Sequence, residues 1–168
     1  MQTTHAKGRS KKAPSGAAST PVSLIMTREV ISVRTGTAID SVVELMLQRG
    51  LSRVPVVDEA GKPVGIISKT DLIEESHDRG DDGVQAPKVR RFDKWVEPRG
   101  FHEEAPPPNV DDVMTSTVIT VPEGASIARV AELMVSRHVH GIPVVTRKGA
   151  LTGFVSAMDV LGWLAGLR

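Results

Sequence analysis

Apolar residues at Ile39, Val42, Val43, Met46 and Leu47 follow the i, i+3, i+4, i+7 spacing of one buried helix face. A helix is therefore predicted to open at Thr37-Ala38-Ile39-Asp40, where Thr and Asp stand three apart in the manner of a capping box, with Asp in place of the usual Glu or Gln. Gly50 suits its C-terminal cap. Ahead of it, Val22 to Met26 is a short apolar turn ending in Met26-Thr27, and Val30, Ile31 and Val33 form a β-branched run read as a brief strand. Behind it come Val54-Pro55-Val56-Val57-Asp58, a turn around Gly61, and an apolar run ending in Gly65-Ile66-Ile67-Ser68, with Asp71 at the start of a further helix. Proline cannot donate to a ladder, so Pro55 is expected at a strand's first residue or on an edge.

The whole pattern returns 88 positions later. Val22 to Ile73 aligns with Val110 to Leu161 without a gap, and 20 of the 52 pairs are identical, which marks an internal duplication. Met114-Thr115, the run Val118, Ile119 and Val121, the helix face Ile127, Val130, Ala131, Met134 and Val135, Ile142-Pro143-Val144-Val145, Gly149 and Gly153-Phe154-Val155-Ser156 repeat the first series, with His138 where the first copy has Gly50. A last helix, Ala157 to Leu167, is expected to pack through Val160, Leu161 and Leu164. Each copy reads β-α-β-β-α, so the fold class is α/β with two tandem units, at 21–76 and 108–168.

Between the copies, Glu74 to Asn109 breaks the pattern with Gly80, Gly83, Gly100 and Pro106 to Pro108, and residues 77–107 are read as a linker, mostly loop. Lys88 to Trp95 could form a short helical or strand piece, with Phe92, Trp95 and Phe101 pinning the loop to the body. Residues 1–20 carry Lys7, Arg9, Lys11 and Lys12 without an acid among Ala, Ser, Gly, Thr and Pro, and read as a disordered basic tail. The net charge is +1, and four tail cations without interleaved aromatics make a weak nucleic-acid footprint, so nucleic acid is not expected as a partner. The chain has no Cys, which excludes disulfides and thiol chemistry. No apolar segment approaches the roughly 20 residues of a membrane span, and the chain is read as cytoplasmic. It has no H-E-x-x-H, no P-loop and no evident nucleophile with a base. An enzyme is not expected, nor a metal or a cofactor, and His138 and His140 are read as surface residues.

The chemistry lies in the repeated S-x-x-D, Ser68 to Asp71 and Ser156 to Asp159. Ser at a helix start caps a backbone N–H, and Asp in the first turn is favoured by the helix dipole. The same end attracts anions because its first N–H groups lack internal partners.

Taken in order and in duplicate, the Met-Thr pairs, the two h-Pro-Val-Val strands and the two G-h-h-S-x-x-D segments (h is hydrophobic) resemble the cystathionine β-synthase (CBS) domain, and the pair resembles a Bateman module. The resemblance implies two CBS units packed with pseudo-twofold symmetry, pairing again into a homodimer. It also implies an adenosine-containing ligand, AMP, ADP, ATP or S-adenosylmethionine, held in a cleft between the units. By that likeness Asp71 and Asp159 accept from ribose hydroxyls, and Ser68 and Ser156 lie near phosphate. Val30, Ile31, Val54, Val118, Ile119 and Ile142 sandwich adenine, with Pro55 and Pro143 alongside. Arg53 and Lys69 suit a phosphate in the first copy. The second has His140, with Gly141 leaving room, but Ala157 in place of Lys69. The function implied is a stand-alone regulatory module that controls an unknown effector protein. The alternative is a structural dimerisation or adaptor module with degenerate sites.

Overall fold

Both copies of the repeat build the same series of elements. The computed structural model describes residues 16–80 and 108–167. A 3-10 turn (Val22–Leu24) precedes β1 (Val33–Arg34), α1 (Ile39–Gln48), β2 (Arg53–Val57), β3 (Pro63–Ser68) and α2 (Lys69–Gly80). The second series is α3 (Val110–Val113), β4 (Val121–Pro122), α4 (Ile127–Ser136), β5 (Gly141–Val145), β6 (Leu151–Ser156) and α5 (Ala157–Leu164). The two sheets are ordered β1-β2-β3 and β4-β5-β6, each with a parallel first pair and an antiparallel hairpin.

The helix periodicity holds at its centre and fails at its margin. Ile39, Val42 and Met46 are buried on α1, as are Ile127, Val130 and Met134 on α4, but Leu47 and Val135 are 71% and 76% exposed. Gly50 closes α1 at φ 63°, with the Leu51 N–H donating to the Met46 carbonyl at 2.8 Å. His138 takes the same left-handed position at φ 54°, with Val139 bonded to Met134 at 3.0 Å. Histidine is among the side chains that tolerate this region.

Several expectations are corrected. The Thr37–Asp40 box does not form: the Thr37 hydroxyl donates to the Arg34 carbonyl at 2.7 Å, and Ala38 occupies the N-cap without a side-chain bond. Val30, Ile31, Val118 and Ile119 precede the strands rather than forming them, because β1 meets β2 only at Val56 and Val57, and β4 meets β5 only at Val144 and Val145. Pro55 is not a first residue but the third of a central strand. It is tolerated because β1 begins one residue further on, so at Pro55 the strand has a neighbour on one side only. α2 continues to Gly80, past the composition break at Glu74, while α5 ends at Leu164 rather than 167. On α5 Val160 is buried, but Leu161 and Leu164 are exposed. The linker aromatics, the Lys88 to Trp95 piece and the tail cations lie outside the described residues.

The compact units are not the sequence repeats. Ile31–Val118 forms a central unit, and the chain up to Val30 joins the chain from Ile119 in a terminal unit. Thus Val22, Ile25 and Met26, which precede the first repeat's strands, belong to the core of the second repeat's sheet, with Val130, Ile142, Val144 and Val155. Val110 reciprocally belongs to the core of Val42, Met46, Val54, Val56 and Ile67, with Met114 packed against it. Backbone bonds fix the exchange at matching places. Val22 N–H donates to Ala125 O at 2.7 Å and Ile127 N–H to Thr20 O at 2.9 Å, while Val110 donates to Thr37 at 2.8 Å and Ile39 to Pro108 at 3.2 Å. A turn at residues 16–20 adds the Ala17 carbonyl, which accepts from Ala128 N–H at 2.9 Å at the start of α4.

The Met-Thr pair completes each exchanged segment. Thr27 and Phe154 exchange two backbone bonds of 2.9 Å, and Thr115 and Ile66 exchange bonds of 3.0 and 3.1 Å, extending β6 and β3 by one bridge each. The methionine beside each threonine lies where a neighbouring side chain would be. A Cβ at Gly153 would overlap the Met26 sulfur, and one at Gly65 the Met114 sulfur.

Two outcomes follow. Fragments 16–80 and 108–168 each lack a segment of the core they must close. Val22, Ile25 and Met26 are three buried side chains at roughly 1.5–3 kcal/mol each, comparable with the roughly 5–15 kcal/mol total stability of a domain. Each fragment alone should be unfolded by circular dichroism, and mixing should restore a 1:1 complex. A fragment that melts cooperatively by itself would contradict the exchange. Gly153→Ala should cost about 1–3 kcal/mol in urea unfolding as Met26 is displaced; an unchanged midpoint would show that the methionine moves freely.

Candidate functional site

The end of each hairpin runs directly into a helix, and the S-x-x-D stands at that junction. In the central unit the Ser68 N–H and hydroxyl both donate to Asp71 Oδ2 at 2.7 Å, and the Asp71 N–H returns to Ser68 Oγ at 3.4 Å. In the terminal unit Ser156 donates to Asp159 Oδ2 from its N–H at 2.8 Å and from its hydroxyl at 2.6 Å, with the Asp159 N–H to Ser156 Oγ at 3.2 Å. This is a reciprocal capping box built on Asp instead of Glu. A second helix-start N–H is met by backbone: Lys69 donates to the Ser52 carbonyl at 3.2 Å and Ala157 to the His140 carbonyl at 2.9 Å. Asp159 is 5% exposed, whereas Asp71 is half-buried.

Strand register brings the first residue of each hairpin beside the serine. Arg53 pairs with Ser68, and Gly141 with Ser156. Arg53 is half-buried and His140 exposed. The other expected residues are placed differently from one another. Val54 and Ile142 are fully enclosed in the cores of their own units, so their side chains are committed to packing, and Pro55 and Pro143 are buried beside them. The room expected at Gly141 is taken by Phe154, whose ring carbons would lie 2.5 and 2.6 Å from a Cβ there. Val30, Ile31, Val118 and Ile119 are half-buried at the two points where the chain leaves one unit for the other.

Lys69, the first residue of α2, is exposed. It lines an open apolar groove of about 260 Å³ with Val43, Met46, Leu47, Leu72 and Ile73, between α1 and α2. Sequence reasoning did not anticipate the groove, which brings together residues of two separate helices. It also gave the Met-Thr pairs no task, although the glycines that accommodate the methionines recur at the same interval. Among the described residues no group of three His, Cys, Asp or Glu could hold a metal ion, and no helix is long and apolar enough to cross a membrane.

Comparison with known proteins agrees with this architecture. The family described as CBS domain matches residues 22–78 and 110–166. An uncharacterized protein of Methanocaldococcus jannaschii, MJ1404, is 31% identical over 152 residues, covering 89% of this chain and 33% of that protein. MJ1225 of the same organism is 31% identical over 141 residues, covering 83% of this chain and 45% of that protein. The chain thus spans less than half the length of these curated relatives. The CBS domain pair of MJ0100, crystallised with 5′-methylthioadenosine and S-adenosyl-L-methionine, superposes with a TM-score of 0.68 at 22% identity, covering 89% of this chain and 98% of that one.

The capping geometry makes the aspartates structural. Asp159→Ala should lower stability by about 1–3 kcal/mol, since two donors of Ser156 lose a charged acceptor in a nearly closed site, and Ser156→Ala by about 1 kcal/mol. Equal, negligible losses in urea titration would mean that the box does not hold the helix start.

Proposed function

Because the chain belongs to the CBS domain family, we propose that it is a regulatory module, not a catalyst, which senses an adenosine-containing ligand, pairs as a homodimer and signals its occupancy to an effector protein. The observation that carries this is the duplicated S-x-x-D at a strand end, with a carboxylate and helix-start hydroxyl side by side. The MJ0100 pair, which shares the fold, holds 5′-methylthioadenosine and S-adenosyl-L-methionine, and both contain adenosine. In this reading Asp71 and Asp159 accept from ribose hydroxyls while their Oδ2 atoms stay in the capping boxes. Ser68 and Ser156 lie near phosphate, and Val30, Ile31, Val118 and Ile119 border the base. Arg53, next to Ser68 in register, supplies a cation for phosphate, with Lys69, at the start of α2, next to Ser68 in sequence. A cysteine-free chain acting on such ligands suits the cytoplasm.

A ligand moves an equilibrium only by its differential affinity for two states, so an effector must read the bound one. A second reading has its own support. The aspartates already serve as caps and Val54 and Ile142 are enclosed, as in an adaptor whose sites have become structural.

Thermal unfolding with AMP, ADP, ATP and S-adenosylmethionine separates the two. At about 100 times Kd a ligand contributes roughly 2.7 kcal/mol, which at about 2–4 °C per kcal/mol raises the midpoint by about 5–10 °C. Asp71→Asn together with Asp159→Asn keeps an oxygen for each cap and should weaken binding about tenfold or more by removing charge-assisted bonds. Arg53→Ala should weaken AMP and ATP but not adenosine. If no adenosine compound moves the midpoint, the adaptor reading stands.

A further inference from the structure

Two of the apolar side chains that line the groove between α1 and α2 are left out of the central core. Leu47 of α1 and Ile73 of α2 are 71% and 58% exposed, and with Val43, Met46 and Leu72 they border the open space of about 260 Å³. The same two helices are acidic on their outer surfaces, with exposed Asp40 and Glu44 on α1 and exposed Glu74 on α2. What fits such a groove is apolar along one side and basic beside it.

The chain contains a segment of that kind. Residues 81–107, outside the described part, hold three of the five aromatic side chains, Phe92, Trp95 and Phe101. Val89, Phe92, Trp95 and Val96 recur at three- and four-residue spacings, an apolar stripe, and Lys88, Arg90, Arg91 and Lys94 stand between them. Both ends of this stretch are tied to the walls of the groove. It leaves from Gly80, the last residue of α2, and returns at Pro108, whose carbonyl accepts at 3.2 Å from the N–H of Ile39, the first residue of α1. Phe92 and Trp95 stand 12 and 13 positions from these anchors, a reach of roughly 40 Å when extended. The whole of α2 is only about 18 Å long.

We propose that residues 88–96 dock in the α1–α2 groove of their own chain, with Phe92 and Trp95 against Leu47 and Ile73. The four cations of the segment then meet the acids of α1 and α2, and Lys69, the charged member of the lining, meets Asp93. Charge decides for this occupant over a second copy, which would bring Asp40, Glu44 and Glu74 against the same acids. The tether makes the contact intramolecular, so a contact too weak to hold a separate peptide suffices. An effector that used this groove would compete with the chain's own segment.

Trp95 reports on the contact in the full chain. Trp163→Phe leaves Trp95 as the sole tryptophan. Its emission should be that of a shielded indole at every protein concentration, with little quenching by acrylamide. Leu47→Glu with Ile73→Glu, both at exposed positions, should shift the emission to longer wavelength and raise the quenching several-fold while circular dichroism stays unchanged. Where Trp163→Phe fails to fold, 5-fluorotryptophan in the otherwise native chain gives two fluorine resonances, and Trp95→Phe identifies which is Trp95; the groove variant should move that one and leave the other. A fully exposed indole in the parent chain overturns the proposal, as does a shielded one that ignores the groove charges. Shielding that appears only as protein concentration rises assigns the groove to a second copy and overturns it too.

Discussion

Reciprocal completion of the two cores is the constraint on which the rest depends. Val22 and Val110 are each fully enclosed, and each lies in the core of the sheet built by the other repeat. A β-α-β-β-α series of this size has one three-stranded sheet and two helices, too little to close an apolar core alone. The preceding segment supplies what is lacking, and duplication makes the exchange mutual. The chain must then pass between units at Val30/Ile31 and again at Val118/Ile119.

The Met-over-Gly contacts show how tightly the exchange is specified. Thr27 and Thr115 give only one bridge each, and a single bridge is a weak register signal. The methionines add a steric constraint, since a Cβ on β3 at Gly65 or on β6 at Gly153 would overlap the sulfur of Met114 or Met26. Unbranched and flexible, Met fills such an irregular space well.

Much of this was legible in the sequence, and what was not has physical causes. The rows Ile39-Val42-Met46 and Ile127-Val130-Met134 showed as helix periodicity because the residues along one helix face recur at a fixed local spacing. The caps at Ser68 and Ser156 were legible for the same reason, with both partners within three residues. Thr37 misled because its hydroxyl had a competing acceptor, the Arg34 carbonyl, equally close in sequence. Leu47, Val135, Leu161 and Leu164 misled because an apolar side chain in a periodic pattern does not say whether its cover comes from the same unit. Phe154 over Gly141 and the exchange itself are long-range facts, set by strand register, with no signature in either segment taken alone.

Identity between the copies is therefore a poor guide to ligand chemistry here. Met26 and Met114, Gly65 and Gly153, and Ser68-x-x-Asp71 and Ser156-x-x-Asp159 are the same in both, and each has a sufficient structural reason in packing or capping. The informative positions are those where the copies differ around one geometry. Arg53 stands beside Ser68, where the terminal unit has Gly141 covered by Phe154; Asp71 is half-buried, where Asp159 is enclosed. A guanidinium beside a helix start is a feature that favours an anion there, and the terminal unit has glycine at that register position. The two copies thus differ in charge at one register position while keeping the same strand pairing and the same capping box.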